Sequence, residues 1–204
     1  MSIAIFGRTD KRFFIMALFN LLQKFGEILF VTSNNHYCRL SKGFSKIEFF
    51  ENILIVNSEN SLETILPELG YVSTDFDFII YDVIDSLPEN ISIILYVTSD
   101  CISAEEVDEI TILSPTHIVW QLYNDFDLVS ARLTRKVKNL EISKNNSFSI
   151  SLQMLQELEI AEAKQRSVRF KNKSLARTLF YIFGDILNLS LKNINILLQR
   201  GGSY

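Results

Sequence analysis

A three-layer α/β fold, with a mostly parallel central sheet between helices, is predicted by three observations on this sequence. Short β-branched and aromatic runs alternate with longer segments of helical period, as in successive βαβ units. Two of those runs, Phe78 to Asp82 and Ile91 to Val97, are apolar almost throughout, as strands covered on both faces must be. The 204 residues are 48% hydrophobic and include 16 Phe against 7 Gly and 3 Pro, enough for one substantial core with little linker. A single domain over residues 1–204 is expected.

The elements follow in order. Ile3 to Phe6 reads as the first strand. Arg12 to Phe25 places Phe14, Leu18, Leu21, Leu22 and Phe25 near one face and stops at Gly26, so it reads as a helix. Ile28 to Thr32 is the second strand and Ile53 to Val56 a further apolar segment. Ser61 to Gly70 has helical spacing interrupted by Pro67. Ser103 with Glu106 three residues later is a capping box, which predicts a helix from about Ala104. Ile118 to Tyr123 reads as a strand and Asp125 to Lys138 as a helix. Glu141 to Ser151 reads as a polar stretch with a turn at Asn145 and Asn146, followed by helices near Ser151 to Lys164 and Ser174 to Asn188.

Charge is unevenly distributed. Residues 1–163 hold 12 Lys/Arg against 23 Asp/Glu, whereas residues 164–204 hold 8 against Asp185 alone, which together give the net charge of -4. Lys164, Arg166, Arg169, Lys171, Lys173 and Arg177 form the basic stretch, suited to nucleic-acid phosphates or an anionic membrane, or to solvent as a charged helix flank. Leu187, Leu191, Ile194 and Leu198 then recur at helical spacing, the pattern of an amphipathic helix for a membrane surface or a partner protein.

Several function classes lack the residues to carry them. The start has no basic stretch, long apolar segment or cleavage site of a secretory signal, so a cytoplasmic location is expected, with peripheral attachment to the inner face of the membrane as an extension. No apolar run approaches the ~20 residues that cross a bilayer. Cys38 and Cys101 are expected as free thiols. His36 with Cys38, and His117 far from either cysteine, give no zinc spacing, so no metal site is expected. No nucleophile elbow, HExxH or GxGxxG occurs.

Three passages carry a resemblance. IAIFGRTDKRFFIMALFNLLQKFGEILFVTS, the strand, loop, helix and strand that open the chain, is similar to the opening of ParA/MinD-family P-loop ATPases. FDFIIYDV, residues 76–83, resembles that family's Walker B strand, with Asp82 at the matching position. The passage from Ser151 to Leu187 resembles the family's closing helices, an ending shared by MinD and by localisation proteins of the CpaE/TadZ kind. The resemblance covers residues 2–188 and implies the P-loop NTPase fold, an ATP and magnesium site, dimers, and work in positioning or assembling bacterial machinery for secretion, pili, conjugation, division or partition.

The departures from that family concern mechanism. Its loop of the form KGGxxGK[ST] wraps phosphates with free backbone amides and binds magnesium through a hydroxyl. Here the loop is Gly7-Arg8-Thr9-Asp10-Lys11-Arg12: one glycine, about three residues shorter, with Arg12 and Phe13 where the hydroxyls would fall and Asp10 where phosphate would be repelled. The second strand ends Val31-Thr32-Ser33-Asn34 with no carboxylate to activate water.

Gly7, Lys11 and Asp82 are the nucleotide-binding candidates. Against that use, Lys11 reads as a solvated charge at a helix start, Gly7 as a residue of the tight turn, and Asp82 as a relic or strand-end cap. Asp75, Asp77 and Asp85 read as loop ends more readily than as a metal site. The expected protein is a pseudo-ATPase: no catalytic residue, no cofactor, and a homodimer or protein complex as its working form. The alternatives are a divergent ATPase that uses Lys11 and Asp82 with ATP and magnesium, and an adaptor that meets membrane or nucleic acid through its basic C-terminal segment.

Overall fold

The structure, a computed structural model, describes residues 1–34, 37, 52–57, 62–83, 88–99, 103–123, 146–163 and 168–200. Its strands are β1 (Ser2–Phe6), β2 (Ile28–Thr32), β3 (Ile53–Asn57), β4 (Phe78–Asp82), β5 (Ile93–Ser99), β6 (His117–Tyr123) and β7 (Ser147–Ile150). Its helices are α1 (Arg12–Leu22), α2 (Leu62–Glu68), α3 (Ala104–Leu113), α4 (Leu152–Ala163), α5 (Lys173–Phe183) and α6 (Leu191–Arg200). Among the described residues the strands form one sheet in the order β3-β2-β4-β1-β5-β6-β7, every neighbouring pair parallel.

The strand alternation divides the core into two layers. Ile3, Ile5, Ile28, Phe30, Ile80 and Leu95 point to the layer of α1, α5 and α6, whereas Ala4, Phe6, Tyr96 and Trp120 point to α3, and Leu29, Val31, Leu54 and Val56 to α2. Helix α1 is buried from Phe13 to Leu22, because the sheet covers one side and the C-terminal helices the other. Its polar Asn20 is accommodated by donating to the carbonyl of Val168 at 2.6 Å.

The expected elements recur with ends shifted by a few residues. The box at the start of α3 forms in full, Glu106 N donating to Ser103 Oγ and Ser103 N to the Glu106 carboxylate. Strand β7 corrects the sequence reading: Ser147 to Ile150, expected as part of a polar stretch, pairs with β6 and buries Phe148 and Ile150. Its two serines on the other face hide the signal. The helix expected over 125–138 lies outside the described residues.

The C-terminal amphipathic stripe has a different use from the one expected. Ile194 and Leu198 are fully buried, Leu187 packs against the same core, and Leu191 is 37% exposed. Phe170 N donates to the Leu198 carbonyl at 2.9 Å, which ties α6 to the segment before α5. The apolar face of α6 thus closes the protein's own core, since burying each such side chain is worth about 1.5–3 kcal/mol. Among the described residues no helix is long and apolar enough to cross a membrane.

Candidate functional site

The strand order reverses about β1, and in open α/β sheets such a crevice at the carboxyl ends of the strands is where ligands sit. The loop from β1 to α1 lies there. Gly7 is required by geometry: its φ is +124°, and a Cβ built on it would stand 1.9 Å from the Val97 carbonyl oxygen of β5. The turn reading of Gly7 therefore holds.

Lys11 and Asp82 come together at this crevice. Lys11 Nζ lies 2.6 Å from Asp82 Oδ1, the two side chains only 8% and 4% exposed. The ammonium also donates to the carbonyls of Ile5 and Val83, each at 3.3 Å. The ammonium is thereby held by an ion pair and two carbonyl acceptors on β1 and just past the end of β4. The second carboxylate oxygen of Asp82 accepts from Thr32 Oγ1 at 3.0 Å. A single polar brace thus ties β1, β4 and β2, and Lys11 is not the solvated charge its place at a helix start suggests.

The other loop cations are held in the same way. Arg12 meets the Asp10 carboxylate at 2.7 Å and Glu162 of α4 at 3.3 Å, and Asp10 Oδ1 also accepts from the Arg12 amide at the start of α1. The bond to Asp10 holds the Arg12 guanidinium above its ordinary pKa, so it stays charged. The helix N-terminus, a ready anion site, is met by the chain's own carboxylate. Arg8 pairs with Glu105 at 2.9 Å and with Glu109, both on α3. Gln121 of β6 donates to the Asp10 carbonyl at 2.8 Å, which fixes the loop from the other side of β1.

Tyr37, Thr32 and Glu162 were not among the residues picked from sequence. Tyr37 is 1% exposed and stands edge-on to Phe30 at 5.0 Å. Burial, then the nearby charge of Asp82, Asp10 and Glu162, raises its phenol well above the usual range, so it remains protonated. Phe13 is buried against Phe148 and Phe170. No sequence spacing marks Tyr37 or Glu162, since each reaches the loop through the tertiary fold.

The remaining candidates lie elsewhere. Arg169, Lys171, Lys173 and Arg177 are exposed on the segment entering α5 and on α5 itself, remote in sequence from the loop. Lys164 and Arg166 lie outside the described residues. Asp75 accepts from Val72 N and Asp77 from Glu27 N, the turn roles expected of loop carboxylates. Asp85 lies outside the described residues. Among the described residues no group of three or more His, Cys, Asp or Glu is placed to hold a metal ion.

Neither a family model nor a curated protein sequence matches the chain. Solved structures do. The chain superposes on a protein assigned to plasmid partition in Borrelia burgdorferi B31, solved with AMPPNP bound, at a TM-score of 0.50 and 12% identity over 98% of each chain. What the two share is the three-layer α/β fold with its parallel central sheet. A second plasmid partition protein from Borrelia burgdorferi matches at a TM-score of 0.45 and 14% identity, over 80% of this chain and 96% of that one. At such identities the likeness is one of fold.

The ammonium of Lys11 is engaged by Asp82 and two carbonyls, and the carboxylate of Asp82 by Lys11 and Thr32, so the two candidates at the crevice meet each other.

Proposed function

We propose that this chain is a ParA-like pseudo-ATPase, a scaffold or regulatory binding protein that keeps the fold of a partition or positioning ATPase without its chemistry. One observation carries the reading: each cation of the loop, Arg8, Lys11 and Arg12, meets a carboxylate of the same chain. To receive a triphosphate, Lys11 would have to leave Asp82, which strands a carboxylate in a buried site and costs several kcal/mol. Phosphate-wrapping loops are effective because their amides and lysine are free before the ligand arrives. The likeness in fold to a plasmid partition protein supports positioning or partition as the setting.

Calorimetric titration of the intact chain with ATP and with ADP, each with magnesium, tests this. The expected result is no binding heat up to millimolar nucleotide and no phosphate release. Submicromolar binding with turnover that Lys11→Ala abolishes would overturn it and favour a divergent ATPase that resembles the AMPPNP-bound neighbour.

A second reading is favoured by the basic segment. Among the described residues no carboxylate pairs with Arg169, Lys171, Lys173 or Arg177. Val168, Phe170 and Asn172 alternate with the first three of these and are buried, which holds the cations outward. We infer that this stripe is the contact surface of the scaffold.

A further inference from the structure

Two helices on opposite sides of the sheet carry opposite charge on their outer faces. On α3, Glu105, Asp108 and Ile112 stand at i, i+3 and i+7 and share one exposed face, with Ile112 83% exposed. On α5, Lys173, Arg177 and Tyr181 stand at i, i+4 and i+8, with Phe180 beside them; Phe180 and Tyr181 are 40% and 50% exposed. Arg8 neutralises part of the α3 face through Glu105 and Glu109, whereas Asp108 has no ion pair among the described residues.

Both helices run from the carboxyl ends of the strands to their amino ends. Helix α3 begins where Thr98 of β5 meets Glu106, and the chain leaving it brings Thr116 to the Ile94 carbonyl at the other end of β5. Helix α5 begins where Asn172 holds the Ser149 carbonyl of β7, and its last turn sets Tyr181 edge-on to His117, the first residue of β6. Ile110 of α3 packs with Ala4 and Phe6, whereas Leu175 and Leu179 of α5 belong to the core layer of Ile3 and Ile5, on the opposite sheet face.

Helix α3 packs on β1, β5 and β6 and α5 on β7, so a second copy displaced along the sheet normal without rotation, and shifted sideways by about two strand spacings, brings its α5 parallel to α3 of the first. Lys173 then faces Glu105, Arg177 faces Asp108 and Glu109, and the aromatic pair faces Ile112. At a rise of 1.5 Å per residue the matching positions agree to about 1.5 Å. We propose that the chain assembles head to tail through these two faces, its partner being a second copy of itself. The faces differ, so each copy keeps one of each kind free, and the assembly grows as a row instead of closing as a two-fold dimer. The inference rests on the scaffold reading for its role and supplies that scaffold with a partner.

Sedimentation velocity of the full chain without nucleotide, from roughly 10 µM to 1 mM at low and high salt, reads the outcome. The native chain forms species larger than dimers that shrink with dilution and salt. Glu105→Lys/Asp108→Lys and Lys173→Glu/Arg177→Glu, all at exposed positions, each lower the association constant by at least about tenfold, with thermal unfolding confirming that both fold. An equal mixture of the two variants assembles again, since each reversed face now meets its complement.

A native chain that stays monomeric throughout overturns the proposal. So does a species that stops at two copies, assembly indifferent to the reversals, or a mixture that does not recover. Loss of duplex DNA or phosphatidylserine-vesicle binding on reversing α5, with the native chain monomeric, assigns the stripe to a polyanion instead. Nucleotide binding by the native chain would end the silent-loop reading and leave these outcomes unchanged, so the two failures are distinct.

Discussion

In the loop between β1 and α1, three cations within five residues meet carboxylates of the same chain, whereas on the segment entering α5 four cations meet none among the described residues. The two regions have similar basic composition and opposite electrostatic fates. Lys11 is buried beside Asp82 in a low-dielectric crevice, where the partner offsets its desolvation. The cations of the stripe stand in water, where an unpaired charge costs little and stays available to something outside the molecule. Position in the fold, more than residue type, decides which charges are spent on structure.

The contrast can be broken most severely at its hinge. Gly7→Ala drives a methyl group into the Val97 carbonyl at a positive φ, with an expected loss of about 4 kcal/mol or more, or failure to fold, as read by urea denaturation. Asp82→Ala leaves a buried ammonium facing only carbonyls, with an expected loss of about 3 kcal/mol. The double replacement Lys11→Met/Asp82→Leu removes both charges and should lie within about 1 kcal/mol of the native chain. A double variant as unstable as Asp82→Ala would mean that the brace supports the fold by more than neutralising a charge.

Leu198→Ala sharpens the comparison at the C-terminus, where a fully buried side chain should cost about 2–3 kcal/mol, while Arg177→Ala on the exposed stripe should stay within about 0.5 kcal/mol. A large loss at Arg177 would show that the stripe is structural. The smallest expected effect is at His117, whose pKa burial lowers below 6.5. The folded state then disfavours the charged ring, so the unfolded chain binds more protons as pH falls below that value. This contribution is fully present above about pH 6.5 and is lost as pH falls toward the folded pKa. His117→Gln should flatten the melting temperature between pH 7.5 and 5.5, and an unchanged slope would count against it.

Much of the fold was legible because buried parallel strands leave apolar runs that need no context, as at Phe78 to Asp82. The capping box at Ser103 and Glu106 was legible for a similar reason, since its chemistry is local. Strand β7 was not: with four residues and two serines, it exists through pairing with β6 and packing of Phe148 on α1. The C-terminal stripe showed a true helical period but not its partner, because an apolar face has the same sequence whether it meets a membrane or its own core. At the site, a loop with a single glycine and three basic residues could be read directly. That Lys11 would turn inward to Asp82, 71 positions away, and that Tyr37 would approach the same carboxylate, are tertiary facts without a local signature.

The side-chain ammonium resonance of Lys11 reports on the brace directly, since a buried ammonium in an ion pair and hydrogen-bonded to two carbonyls exchanges its protons slowly enough to be observed. The account predicts a signal that disappears in Asp82→Asn and keeps its position when millimolar ATP and magnesium are added to the native chain. A signal that moves on addition of nucleotide, with Lys11 transferred from Asp82 to phosphate, would contradict it.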